Sequence, residues 1–155
     1  MALILNIETA TTNCSVSIAE DGRMIALREL NSSSYSHSED LHYFIKEVME
    51  EASIATTDLD AIAVSKGPGS YTGLRIGVSA AKGLCFSLDI PLIGISTLES
   101  MVAQLKLKEG IVIPVLDARR MEVYSAVFNS GYEQIRETRV EEVQPDLYSE
   151  YTCLL

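Results

Sequence analysis

Leu3-Ile4-Leu5-Asn6-Ile7 is a short, mostly apolar run and predicts a buried strand. Cys14, Val16 and Ile18 then alternate with Ser15 and Ser17, the period of a strand with one buried face. Asp21-Gly22 breaks that pattern, and Asp-Gly is a favoured pair for a tight hairpin turn. Met24 to Leu30 reads as the third strand of a meander. A polar loop over Asn31–Tyr35 follows, and Ser36 with Glu39 has the spacing of a capping box. The helix it opens, over 37–53, carries Leu41, Phe44, Ile45, Val48, Met49 and Ala52 at i, i+3, i+4, i+7, i+8 and i+11. Ala61–Ser65 reads as a fourth strand, 72–87 as a helix and Pro91–Ile95 as a fifth strand. Ser96 with Glu99 caps a third helix, whose apolar face is Leu98, Met101, Val102 and Leu105.

Lys106–Gly110 is charged, and after it the pattern restarts. Ile111–Leu116 is an apolar strand ending in Asp117, a turn carries Arg119 and Arg120, and Val123–Phe128 is the next strand. Asn129-Ser130-Gly131 turns the chain into a third strand near Gln134–Val140. The order strand, acid, polar turn, strand thus occurs twice, near residues 2 and 111, which predicts a repeated unit. The first unit reads βββαβαβα, a ribonuclease H-like α/β layer arrangement over 1–108. The second lobe begins at 109 and is partial at 155. Glu141–Leu155 carries no pattern that assigns an element.

The 155 residues suffice for a domain of ordinary size, and 47% hydrophobic residues supply a core. Cys14, Cys85 and Cys153 are an odd set without CxxC spacing, so buried or idle thiols in a reducing compartment are expected rather than disulfides. Met1–Leu5 lacks a basic start, Asn6 and Glu8 interrupt the apolar run, and no run approaches the roughly 20 residues of a membrane span. A cytoplasmic protein without membrane contact is expected. The net charge of −10 is spread along the chain, with −6 over 1–110 and −4 over 111–155. Affinity for nucleic acid comes mainly from Lys and Arg on phosphates, so a stand-alone nucleic-acid binder is not expected.

The chemistry centres on Lys66-Gly67-Pro68-Gly69-Ser70-Tyr71-Thr72-Gly73-Leu74-Arg75-Ile76-Gly77. Pro68 between two glycines makes a turn from strand to helix. Such a turn can cradle phosphate through free N–H groups and the helix dipole, or it can be a tight structural turn. Its spacing matches neither the P-loop, since Gly73 is followed by Leu74-Arg75, nor the dinucleotide motif, whose third glycine would stand at Thr72. Gly73, Gly77, Ala80 and Ala81 fall at i, i+4, i+7 and i+8, a stripe of small residues that lets another helix approach closely. His37 and His42 are five apart, about 140° off a shared helix face, so a joint metal site is not expected.

The string Gly67-Pro68-Gly69-Ser70-Tyr71-Thr72-Gly73-Leu74-Arg75-Ile76-Gly77, running on to Leu84, strongly resembles the TsaB (YeaZ) family of bacterial threonylcarbamoyladenosine biosynthesis proteins. Asp117-Ala118-Arg119-Arg120, with Glu122-Val123-Tyr124, resembles a second motif of that family. The resemblance implies the actin, Hsp70 and sugar-kinase class of ribonuclease H-like folds. It also implies a non-catalytic subunit for N6-threonylcarbamoyladenosine synthesis in tRNA. Its partners would be the catalytic paralogue TsaD and the ATPase TsaE, with tRNA met only through the complex and a homodimer formed alone. In this fold class the first hairpin faces nucleotide phosphates, so Glu8, Thr9, Gly67 and Gly69 are candidates for a vestigial phosphate site. ATP or ADP with Mg at a complex interface is the cofactor it would take, and no cofactor is fixed by the sequence.

The paralogue carries an acidic pair where Thr12 and Asn13 stand, and a metal-binding His pair where Thr97 and Met101 stand. Neither Thr97 nor Met101 replaces those ligands. The partner surface is expected on helices 37–53 and 72–87, through Leu41, Ile45, Tyr71, Gly73, Arg75, Gly77, Ala80 and Ala81. On that expectation, Gly77→Leu blocks association and leaves a folded monomer. Asp117, Arg119 and Arg120 form a motif of unassigned role: the two arginines meet a phosphate, a partner's carboxylate, or their own Asp117 or Glu122. Two other readings stay open, an ATP-handling enzyme of the sugar-kinase type and a metallopeptidase-like homologue.

Overall fold

The computed structural model describes residues 1–31 and 37–151. The chain divides into two compact units, Met1–Ile95 and Ser96–Leu155.

In the first unit β1 (Leu3–Glu8), β2 (Asn13–Glu20) and β3 (Arg23–Asn31) form the expected antiparallel meander. Asp21 and Gly22 both take positive φ, 48° and 78°, in the turn between β2 and β3. Helix α1 (His37–Ala52) leads to β4 (Ala61–Ser65), then α2 (Tyr71–Leu88) leads to β5 (Leu92–Ile95). The sheet order is β3-β2-β1-β4-β5, with β1, β4 and β5 parallel. The period-2 reading of β2 holds, with Cys14, Val16 and Ile18 buried. They pack with Leu5, Ile7, Ile62 and Val64 of the sheet and with Leu41, Val48 and Met49 of α1. Fully burying side chains of this kind contributes about 1.5–3 kcal/mol each. The capping box expected at Ser36 lies outside the described residues.

In the second unit α3 (Thr97–Ala103) packs on a sheet of β6 (Ile111–Val112), β7 (Val115–Arg119), β8 (Glu122–Asn129) and β9 (Gln134–Glu142). Its core is Leu98, Val102, Ala126 and Phe128, flanked by Met101, Val112 and Leu116. The division between units therefore falls before α3, not at the charged stretch near 108, because α3 buries its apolar face in the second unit. Leu105, expected on that face, is 44% exposed because the helix has already ended at Ala103.

The strand expected over 111–116 is split. Ile111 pairs Asn129, Val112 pairs Phe128 and Val115 pairs Ser125, one continuous register across a gap at Ile113-Pro114. Pro114 has no N–H to give the ladder, which accounts for the break. β8 pairs β9 on its other side, so β7, β8 and β9 repeat in the second unit the antiparallel meander that opens the first. The repeat extends to the turns. Glu8 ends β1 and accepts the Ala10 N–H at 2.6 Å, and Asp117 in β7 accepts the Arg119 N–H at 2.7 Å.

Candidate functional site

The first hairpin turn and the glycine-rich turn are fastened to each other. Glu8 accepts from the Ala10 N–H at 2.6 Å with one carboxylate oxygen and from the Ser65 hydroxyl with the other. Thr9 is fully buried, and its hydroxyl donates to the Gly73 carbonyl of α2 at 2.8 Å. The Ser70 N–H donates to the Ala10 carbonyl at 2.6 Å. A Cβ on Gly69 would lie 2.3 Å from that same carbonyl, and a Cβ on Gly77 would lie 2.2 Å from Thr9 Oγ1. Gly67, at φ 101° before the cis Gly67–Pro68 bond, is buried, and a Cβ there would lie 3.1 Å from Leu74 Cδ1. Ser70 caps α2, accepting from the Gly73 N–H at 3.3 Å.

These contacts correct the expected roles of several residues. Of the phosphate-site candidates Glu8, Thr9, Gly67 and Gly69, the Glu8 carboxylate and the Thr9 hydroxyl are hydrogen-bonded within the clamp, and Gly69 lies where a Cβ would meet the Ala10 carbonyl. The small-residue stripe likewise faces inward: Gly73, Gly77 and Ala81 are buried against the unit's own sheet, and Ala80 is half-buried. Leu41 and Ile45 are buried in the core. The five buried residues, Gly73, Gly77, Ala81, Leu41 and Ile45, supply little or no exposed surface for a partner, and Gly77→Leu would strike the core rather than an interface. Beside the clamp, burial pushes the Cys14 thiol up to about 11, with the Asp40 and Glu8 carboxylates adding to the effect.

Tyr71 and Arg75 are exposed, as expected. They begin an outer face of α2 that continues through Thr72, Ser79, Lys82 and Phe86, at helical spacing. The Arg75 guanidinium lies 5.5 Å from the Tyr71 ring centroid. Phe86 is 92% exposed and Tyr71 74%. Between them a depression of about 310 Å³ is lined by Thr72, Arg75, Ile76 and Ser79. A second hollow of about 410 Å³ lies along α1, lined by His42, Ile45, Lys46 and Met49 with the segment 50–56. Sequence reasoning named Tyr71 and Arg75 but missed the rest of this outer face, Ser79, Lys82 and Phe86, which continues them at a period of 3.6 opposite to the small stripe.

In the second unit Thr97 is buried with its hydroxyl unpartnered among the described residues, and Met101 is half-buried. A polar network also escaped the sequence reading. Arg136 meets Glu141 at 2.5 and 3.0 Å and donates to the Ser125 hydroxyl at 2.8 Å, while Ser125 donates to Glu141. The hydrogen bonds from Arg136 hold the Glu141 carboxyl below its ordinary range, against the opposing effect of burial. The Tyr148 ring centroid lies 5.9 Å from the Arg136 guanidinium, which places part of the segment left unassigned after 141.

The model of TsaD, tRNA N6-adenosine threonylcarbamoyltransferase, matches residues 31–151. The chain belongs to the TsaD family. Within that family it is similar to the tRNA threonylcarbamoyladenosine biosynthesis protein TsaB of Bacillus subtilis, 35% identical over 143 residues, or 92% of this chain and 60% of that protein. The chain thus spans less than two thirds of the length of that curated relative. Among solved structures, YeaZ from Pseudomonas aeruginosa matches 92% of this chain and 66% of its own, with 29% identity and a TM-score of 0.75. The ethanolamine utilization protein EutJ of Carboxydothermus hydrogenoformans, at 15% identity and a TM-score of 0.51, covers 92% of this chain and 51% of its own, a likeness of fold alone. The mixed α/β fold of this TsaD-family chain is shared with YeaZ. No helix among the described residues is long and apolar enough to cross a membrane.

Proposed function

We propose that this chain is a non-catalytic subunit for synthesis of N6-threonylcarbamoyladenosine in tRNA, holding the catalytic paralogue TsaD through the outer face of α2. The observation that carries the proposal is Phe86, 92% exposed, in line with Tyr71 and Arg75 on one helix face. Exposed aromatic and Arg side chains are what protein interfaces concentrate at their hot spots. The hollow along α1 and the exposed Tyr43 offer a second surface on α1. Two further features support a scaffold over an enzyme. Glu8 and Thr9 are engaged in the clamp, and Thr97 and Met101 are poor ligands for a hard or borderline metal ion. The same α2 face would pair two copies of the chain when TsaD is absent. TsaE would join the assembled pair, and tRNA would be met through the complex, in keeping with the net charge of −10.

The test is size-exclusion chromatography with light scattering, on the chain alone and mixed with the TsaD of the same organism. Conversion of a homodimer to a one-to-one heterodimer, lost in Phe86→Asp, is the expected result. Phe86 is so exposed that the substitution leaves folding intact. A wild-type chain that ignores TsaD would overturn the proposal.

A further inference from the structure

The turn at Ala118–Met121 uses the wrong residues for its shape. Arg119 pairs Glu122, so Arg120 and Met121 form a two-residue hairpin loop. Arg119, Arg120 and Met121 all take positive φ, at 69°, 55° and 66°. Side-chain-bearing residues other than Asn and Asp visit that region at a cost. The chain solves the same problem conventionally between β2 and β3, where Asp21-Gly22 supplies a favoured pair. Strain that persists where an easy sequence solution exists points to side chains kept for use.

Those side chains are displayed rather than spent. Met121 is 70% exposed, and Arg119 and Arg120 are exposed. Neither guanidinium has an ion pair among the described residues. The internal pairing left open by the sequence is therefore not made: the Asp117 carboxylate accepts the Arg119 backbone N–H, not its guanidinium. The Val143 N–H donates to the Met121 carbonyl at 2.8 Å, which holds the base of the turn in place.

We infer that Arg119, Arg120 and Met121 form a docking knob for an acidic protein surface, and that this surface belongs to TsaD, which rests on the function proposed above. Paired guanidinium forks match carboxylates, and a neighbouring exposed methionine supplies a soft apolar contact. An RNA backbone fits less well, because it offers Met121 no apolar seat and the chain as a whole is strongly acidic.

The decisive variant is Arg120→Asn with Met121→Gly, which installs the favoured hairpin pair. It relieves strain, so Tm rises by several degrees, while affinity for TsaD in a surface-binding assay falls by about tenfold or more. Arg119→Glu with Arg120→Glu loses affinity too, and the association rate loses much of its salt dependence. The inference is overturned if the Asn-Gly variant binds TsaD as tightly as wild type, or if the charge-reversed variant loses affinity only for tRNA. If Phe86→Asp abolishes TsaD binding while the Asn-Gly variant does not, this inference falls and the proposed function stands. A wild-type chain that does not bind TsaD removes both.

Discussion

Gly77→Ala isolates the clamp from everything else in the molecule. In an open helix this change would gain about 1 kcal/mol, since alanine is the better helix former. Here the new methyl would lie 2.2 Å from Thr9 Oγ1 and 3.3 Å from Thr9 Cβ. Thr9 has nowhere to go: it is fully buried, and its hydroxyl is tied to the Gly73 carbonyl at 2.8 Å. Overpacking costs about 1–3 kcal/mol, and displacing a buried hydroxyl from its partner costs about 1–3 kcal/mol more. Set against the helix gain, the net destabilisation is about 3 kcal/mol. Urea unfolding followed by far-UV circular dichroism reads this as a lower midpoint at unchanged slope. Thr9→Ala in the same chain removes the clashing oxygen and should recover part of the loss, so the pair is non-additive. A Gly77→Ala chain as stable as wild type, or more so, would refute the reasoning, because helix propensity alone would then have decided the outcome.

Two further outcomes are expected. Glu141 titrates below its ordinary value of 4.5 in the folded unit, so its pairing stabilises above that pH and is lost as the pH falls through the depressed value. Arg136→Met should cost about 2–3 kcal/mol at pH 7, less than a fully buried pair because Ser125 still donates to Glu141, and should flatten the acid limb of the stability profile. An unchanged acid limb in a thermal-melt series would show the pair to be idle. Cys14, with its thiol pushed up to about 11, should resist iodoacetamide at pH 8 in the folded protein and react on unfolding, as read by mass spectrometry. Rapid native labelling at Cys14 would contradict its burial.

The meander of the first unit was legible because its signals were local: the alternation over 14–18, the Asp-Gly pair, and the apolar row on α1. The repeat was legible for the same reason, down to a carboxylate in each turn that accepts a backbone N–H two residues on, although Asp117 lies within β7 rather than at its end. The unit boundary was not, because the face of α3 is apolar on either assignment and periodicity does not say which sheet receives it. The stripe from Gly73 to Ala81 correctly signalled a close approach, but spacing alone does not distinguish a neighbour within the chain from one outside. Its neighbour is Thr9, 68 positions before Gly77 in the chain. The Arg136–Glu141 pair crosses a bulged strand, where simple alternation fails to place side chains. Pro114 was visible in the sequence, and its effect on the strand followed from its missing N–H.

The clamp also bears on what may be carried from one family member to another. Its glycines and its buried threonine are demanded by backbone proximity, and that demand is the same whether or not a reaction takes place nearby. A chain with no reaction at this place has the same need of the buckle, because loosening it costs stability. Sharing this string therefore identifies common ancestry and common topology, while the histidines, carboxylates and exposed side chains around it record what each descendant has gone on to do.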